Sequence, residues 1–125
     1  MTTSSEPALA APGAGLPAIE LFIGRLLFRL NCRAGSREEF ISRFQKERSA
    51  IRTLVDDCEE SQRGERILIR RLRGLEDSSR YWSVLMTLAH LRITNLAFAG
   101  VIRSLTHGRI PEGEASTVAV KPDPL

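Results

Sequence analysis

The chemistry of this chain is best sought at His90. Imidazole is the side chain whose ordinary titration spans neutral pH, and its nitrogens serve as metal ligands or as acid and base. On an α-helix, at about 100° per residue, Ser83, Thr87, His90 and Thr94 fall within roughly 60° of one another. They make a single polar line of one imidazole and three hydroxyls. Val84, Leu91 and Phe98 flank it on one side, and Met86, Ile93 and Ala97 on the other. Arg92 and Arg103 point the opposite way, and arginine resists burial, so the His90 line is expected to face inward. Two readings follow. His90 is a core histidine with one nitrogen bonded to a hydroxyl or a backbone carbonyl, or it is a ligand or acid/base group in an interhelical pocket. Nothing on the same face supplies a second ligand. Ser83, Thr87 and Thr94 are weak neutral donors, better suited to orienting His90 than to joining it. His107, further along, reads as a cation favoured by a helix C-terminus.

The element that must carry this line is one long helix from Asp77 to Gly108. Asp77 or Ser78 is its expected cap, Gly108 its left-handed stop, and Pro111 lies just beyond. The helix is apolar nearly all round, as suits an element packed on several sides. Trp82 is expected as a buried anchor near its start. Ahead of it, residues 18–31 place Ile19, Phe22, Ile23, Leu26, Leu27 and Leu30 on one face, with Glu20, Arg25 and Arg29 on the other. Burial in a bundle is favoured for this helix over a membrane-surface anchor. Ser36-Arg37-Glu38-Glu39 forms a capping box. The helix it opens is expected to carry Phe40, Phe44, Ile51, Leu54, Val55 and Cys58 inward and to stop near Gln62 to Gly64. Residues 65–74 fit either an extended connector or a last helical turn. The Ala-, Pro- and Ser-rich stretch 1–17 reads as a disordered leader, and 111–125, with three prolines and a short Ser-Thr-Val-Ala-Val run, as an extended arm.

A length of 125 residues sets a limit of one domain, and an apolar fraction of 42% is ordinary for a globular core. The net charge of +3 rests on arginine, because Lys46 and Lys121 are the only lysines. Cys32 and Cys58 lack metal-ligand spacing and read as reduced core thiols, which places the protein in the cytoplasm. No run of apolar residues approaches the length of a membrane span, and the start lacks signal-peptide character, so no membrane partner is expected. The arginines at 66, 70, 71 and 73, with Arg63 and Arg80, are interrupted by Glu65, Glu76 and Asp77. They accompany no stacking aromatics of a nucleic-acid module and read as a solvated basic edge.

The segment Arg71-Leu72-Arg73-Gly74-Leu75-Glu76-Asp77-Ser78-Ser79-Arg80-Tyr81-Trp82-Ser83, followed by Leu88-Ala89-His90-Leu91 and Asn95, resembles the DinB/YfiT-like superfamily. The resemblance extends from about Ile19 to Pro124, with its specific part at 71–95. It implies an all-α fold, an up-down helical bundle of DinB-like type over 18–110. Here the bundle is incomplete, with three main helices plus an extended C-terminal arm, as in a C-terminally shortened member. It also implies a metal-dependent hydrolase or thiol transferase whose metal, usually zinc or nickel, sits on three histidines. His90 matches the first, and Ser83, Thr87, Thr94 and Asn95 would lie around it. The other two, a His-x-x-x-His pair on a later helix, have no match. A catalytic zinc takes about three protein ligands and a water, so the site is incomplete within one chain.

A rod apolar nearly all round is more than two other helices can cover. The chain is therefore expected to form a homodimer that completes a four-helix-like core. The alternative to an enzyme is thus a non-catalytic helical module that self-associates. The basic edge provides a first test. Replacing Arg70, Arg71 and Arg73 by Gln should leave retention on heparin at physiological salt nearly unchanged. Loss of a salt-sensitive complex would reveal phosphate contacts instead.

Overall fold

The computed structural model describes residues 6–123 apart from Glu114. The chain is mostly helical, with three α-helices: α1 (Ala18–Ala34), α2 (Arg37–Asp57) and α3 (Val84–Thr106). Between α2 and α3, β1 (Ile67–Leu68) and β2 (Tyr81–Trp82) form a small antiparallel ladder that pairs Ile67 with Trp82 and Leu68 with Tyr81.

Local chemistry explains the helix ends. Pro17 precedes α1, and its carbonyl accepts the Leu21 amide at 3.0 Å. At the other end the Gly35 amide donates to the Asn31 carbonyl at 2.8 Å. A Cβ at Gly35 would meet the Phe40 ring at 2.6 Å, so the tight α1–α2 connection requires glycine through crowding, not through its φ. The capping box expected at Ser36 is present: Ser36 Oγ accepts from the Glu39 amide, and the Glu39 carboxylate accepts from the Ser36 amide. α2 ends earlier than expected, at Asp57, and the backbone is extended at Cys58 before a 3₁₀ turn over Glu60–Gln62. The reason is electrostatic. Asp56, Asp57, Glu59 and Glu60 crowd the negative end of the helix, and its last turn holds no basic residue.

The largest departure is at the start of α3. The helix expected from Asp77 begins at Val84, because Ser83 is the cap and its Oγ accepts the Met86 amide at 3.1 Å. Asp77 and Ser78 are suitable cap residues by type but are engaged elsewhere. Asp77 accepts from the Ala10 amide and from Arg80, and the Ser78 hydroxyl donates to Glu76, within a 3₁₀ turn over Asp77–Ser79. Tyr81 and Trp82 join β1, a pairing that aromatic and β-branched residues favour. Trp82 is accordingly half-buried rather than a buried anchor within the helix. The stop at Gly108 agrees with expectation. Gly108 has φ 68°, its amide bonds Leu105, and the Arg109 amide bonds Ser104, which completes a Schellman motif.

Burial is where the sequence reading needs most correction. Among the described residues the buried side chains are Met86, at 4% exposure, the cap Ser83 and Pro122. Neither α1 nor α2 buries a residue. Phe22, Phe44, Leu54 and Phe98 are 68%, 59%, 69% and 62% exposed. Only Ile51, Val55 and Cys58 of the expected inner face of α2 are even half-buried, and Cys32 is an exposed free thiol. Three helices do not enclose a common interior. α3 is also long and apolar enough to cross a membrane by length and composition, contrary to expectation, although Arg92 and Arg103 interrupt it.

With Ser83 as the cap, Ser83→Ala should lower stability by about 1 kcal/mol in urea denaturation. A change of only a few tenths would place the cap elsewhere.

Candidate functional site

His90 is half-buried on α3, and its ring faces two non-local neighbours. Nδ1 lies 2.6 Å from the Val120 carbonyl, and the Trp82 ring sits with its centroid 5.2 Å away, tilted by 57°. A carbonyl only accepts, so Nδ1 carries the proton and Nε2 is left with its lone pair in the neutral ring. The contact exists because β2 delivers Trp82 to the start of α3 while the chain after Gly108 turns back to bring Val120 beside the same face.

The other members of the polar line are not assembled around the imidazole. The Ser83 hydroxyl is occupied as a helix cap. Thr87 is exposed and donates to the Ser83 carbonyl at 3.0 Å, a bond within its own helix. Asn95 is exposed and lies off the line. Thr94 is the exception: its Oγ1 is buried without a hydrogen-bond partner among the described residues. It lines a cleft of about 630 Å³ between α3 (Ala97, Phe98, Val101) and the segment from Pro111 to Val120. A second hollow, about 290 Å³, runs between Ile51, Leu54 and Val55 of α2 and Val84, Leu88 and Leu91 of α3. His107 bonds the Arg103 carbonyl through Nδ1 at 2.7 Å, at the C-cap where a cation was expected.

The fit to a zinc or nickel ion is poor. His90 offers one nitrogen, and no group of three His, Cys, Asp or Glu able to hold a metal occurs among the described residues. One imidazole does not retain such an ion.

A feature that periodicity does not reveal lies just before β2. Glu76, Asp77 and Ser78 gather both ends of the described chain. Glu76 accepts the Gly15 amide at 3.0 Å and pairs with Lys121 at 3.1 Å, Lys121 also meets the Ser78 hydroxyl, and Asp77 accepts the Ala10 amide at 2.8 Å. Burial pushes the Glu76 carboxyl up, but the Gly15 amide, Lys121 and Ser78 outweigh it and hold it below the usual range. The Ala10 amide and then Arg80 hold Asp77 low. Nearby, Arg71 binds both oxygens of Glu20 at 2.8 Å, and the Gly74 amide adds a third bond at 3.1 Å. The basic edge is thus partly spent on acids: Arg66 on Glu6, Arg71 on Glu20 and Arg80 on Asp77. The alternation of Glu and Arg over 65–80 hinted at such pairing, but the partners at 6, 10, 15, 20 and 121 are too distant in sequence for local pattern to name.

Comparison with protein-family models, curated proteins and solved structures finds no match to this chain.

The Glu20 contact has a defined pH signature. Its hydrogen bonds with Arg71, then with the Gly74 amide, lower its carboxyl from 4.5 to about 2. A depressed carboxylate contributes stability that is complete above its unfolded value and is lost as pH falls through the folded one. Urea midpoints of wild type and Glu20→Gln should differ at neutral pH, draw together as pH falls below 4.5, and retain only a small part of that difference near pH 2. A separation at pH 2 as large as that at neutral pH would mean that the charge of Glu20 is not what matters.

Proposed function

We propose that this chain is a helical interaction module that completes its core by associating with a second copy of itself. The observation that carries this reading is the exposure of large apolar side chains on all three helices, with Phe22, Phe44 and Phe98 each more than half exposed. In proteins most of the stability of a helix comes from packing its apolar face rather than from intrinsic propensity. An apolar surface spread over three helices exceeds what a soluble monomer tolerates. In this reading the DinB-like, four-helix type of bundle forms between two copies rather than within one, and the homodimer is the working unit.

A second reading keeps the metal-dependent hydrolase or thiol transferase, with His90 as one ligand. One observation favours it: the Val120 carbonyl holds Nδ1, which leaves Nε2 oriented as an outer-shell contact orients a ligand histidine. Two copies would supply two such imidazoles, still short of a catalytic set.

Sedimentation velocity over a concentration series, with and without zinc, separates the readings. The expected result is a concentration-dependent dimer with weak zinc binding at most, and zinc binding that disappears in His90→Ala while the dimer persists. A monomer at all concentrations would overturn the module, and a monomer holding one zinc tightly would favour the enzyme.

A further inference from the structure

The groove between α2 and α3 and the exposed apolar face of α1 are alike in apolar character and opposite in charge. The groove floor is apolar apart from Thr87, formed by Ile51, Leu54, Val55, Val84, Leu88 and Leu91, and no residue of α1 lines it. The last turn of α2 and the chain after it carry Asp56, Asp57, Glu59 and Glu60, all exposed and none in an ion pair among the described residues. Those carboxylates lie at the negative end of the helix dipole, where Arg63 Nε already donates to the Cys58 carbonyl at 3.1 Å without pairing with any of them, so further cations are favoured there. α1 has the opposite character. Every residue except Glu20 is exposed, Ile19, Phe22, Leu26 and Leu30 share a face, and Arg25, Arg29 and Arg33 run beside it. None of these three arginines has an ion partner among the described residues, and the one acid of α1, Glu20, is held by Arg71.

The chain's own α1 is poorly placed to use this match. α1 ends two residues before α2 starts, while the acids lie at the far end of α2, 21 residues on, a distance of roughly 30 Å. In an antiparallel hairpin the arginines would lie along the first half of α2, with Arg25 near Lys46, and the acids would fall beyond the start of α1. Nor does α1 suit its own copy as a partner, because an α1–α1 contact would set one row of arginines against another.

We propose that α1 of one copy docks in the α2–α3 groove of a second, with Arg25, Arg29 and Arg33 on Asp56, Asp57, Glu59 and Glu60, and that the exchange is reciprocal. This rests on the self-association argued above and names the surface that carries it. Two-fold symmetry makes each α1–groove contact occur twice. Each copy thereby covers the apolar face of its partner's α1 and closes the side of its own α3 that α2 leaves open.

Reciprocity yields a charge-reversal test. One variant carries Arg25→Glu, Arg29→Glu and Arg33→Glu. The other carries Asp56→Lys, Asp57→Lys and Glu60→Lys, substitutions that complement the dipole of α2 and so favour its helix. Each variant alone brings like charges together at both contacts. Its self-association, measured by sedimentation velocity at low salt, should weaken about tenfold or more. In a mixed pair both contacts are opposite in charge, so an equimolar mixture of the two should form a heterodimer with affinity near that of wild type. That recovery also shows that both variants are folded. A wild type that does not self-associate would overturn the parent reading and this one together. A wild type that associates while the variants associate equally well, or a mixture that fails to recover, would leave the module standing and remove α1 from its interface. Binding of wild type to anionic phospholipid vesicles through α1, without dimerisation, would assign the helix to a lipid surface and overturn the proposal.

Discussion

The arrangement of the helices depends on polar contacts made around one short turn. Glu76 and Asp77 accept the amides of Gly15 and Ala10, Glu76 holds Lys121, and a few residues upstream Arg71 and the Gly74 amide hold Glu20 at the start of α1. The segment before α1, the first turn of α1, the β1–β2 ladder and the chain after α3 are all tied within this region. A folded chain ordinarily takes its cohesion from buried apolar area and uses polar contacts to select among packings. Here the apolar part is small, since Met86 is the buried apolar side chain of α3, and charge-assisted hydrogen bonds carry an unusual share. Such bonds position elements well. They stabilise weakly where water reaches them, which is why the apolar faces of the helices still need cover.

What could be read in the sequence was what depends on near neighbours. The Ser36–Glu39 box, the left-handed stop at Gly108 and the presence of three helices, though not the end of α2 or the start of α3, follow from residues within a few positions of one another. The start of α3 was misplaced because Asp77 and Ser78 have the right types for a cap, yet partners far along the chain claim them. Trp82 was drawn into the helix for a similar reason: its strand partner, Ile67, lies on the far side of an intervening loop. Burial was legible only as a pattern. Periodicity identifies the face that prefers to leave water, as for Phe40 and Phe44 on α2, but it does not say whether anything in the same chain lies opposite.

The candidate site follows the same division. The shared face of Ser83, Thr87, His90 and Thr94 is real helical geometry. A shared face is not a shared cavity, however. The backbone of α3 engages Ser83 and Thr87, and only His90 and Thr94 look toward the chain beyond Pro111. A carbonyl from a segment without helix or strand supplied the partner of His90, which no side-chain pattern could anticipate. The poor fit to a metal is a matter of donor number rather than donor quality.

The proximity of Trp82 to His90 has an optical consequence. Trp82 is the one indole of the chain, and its emission can be followed without any label. An imidazole at 5.2 Å is close enough to quench it, and the degree of quenching depends on how the ring is turned. The Val120 carbonyl fixes that turn. Lifting the last described segment off α3 would free the imidazole to rotate and alter the fluorescence of a residue that the segment itself does not hold. The molecule thus contains a built-in gauge of whether its C-terminal stretch is seated.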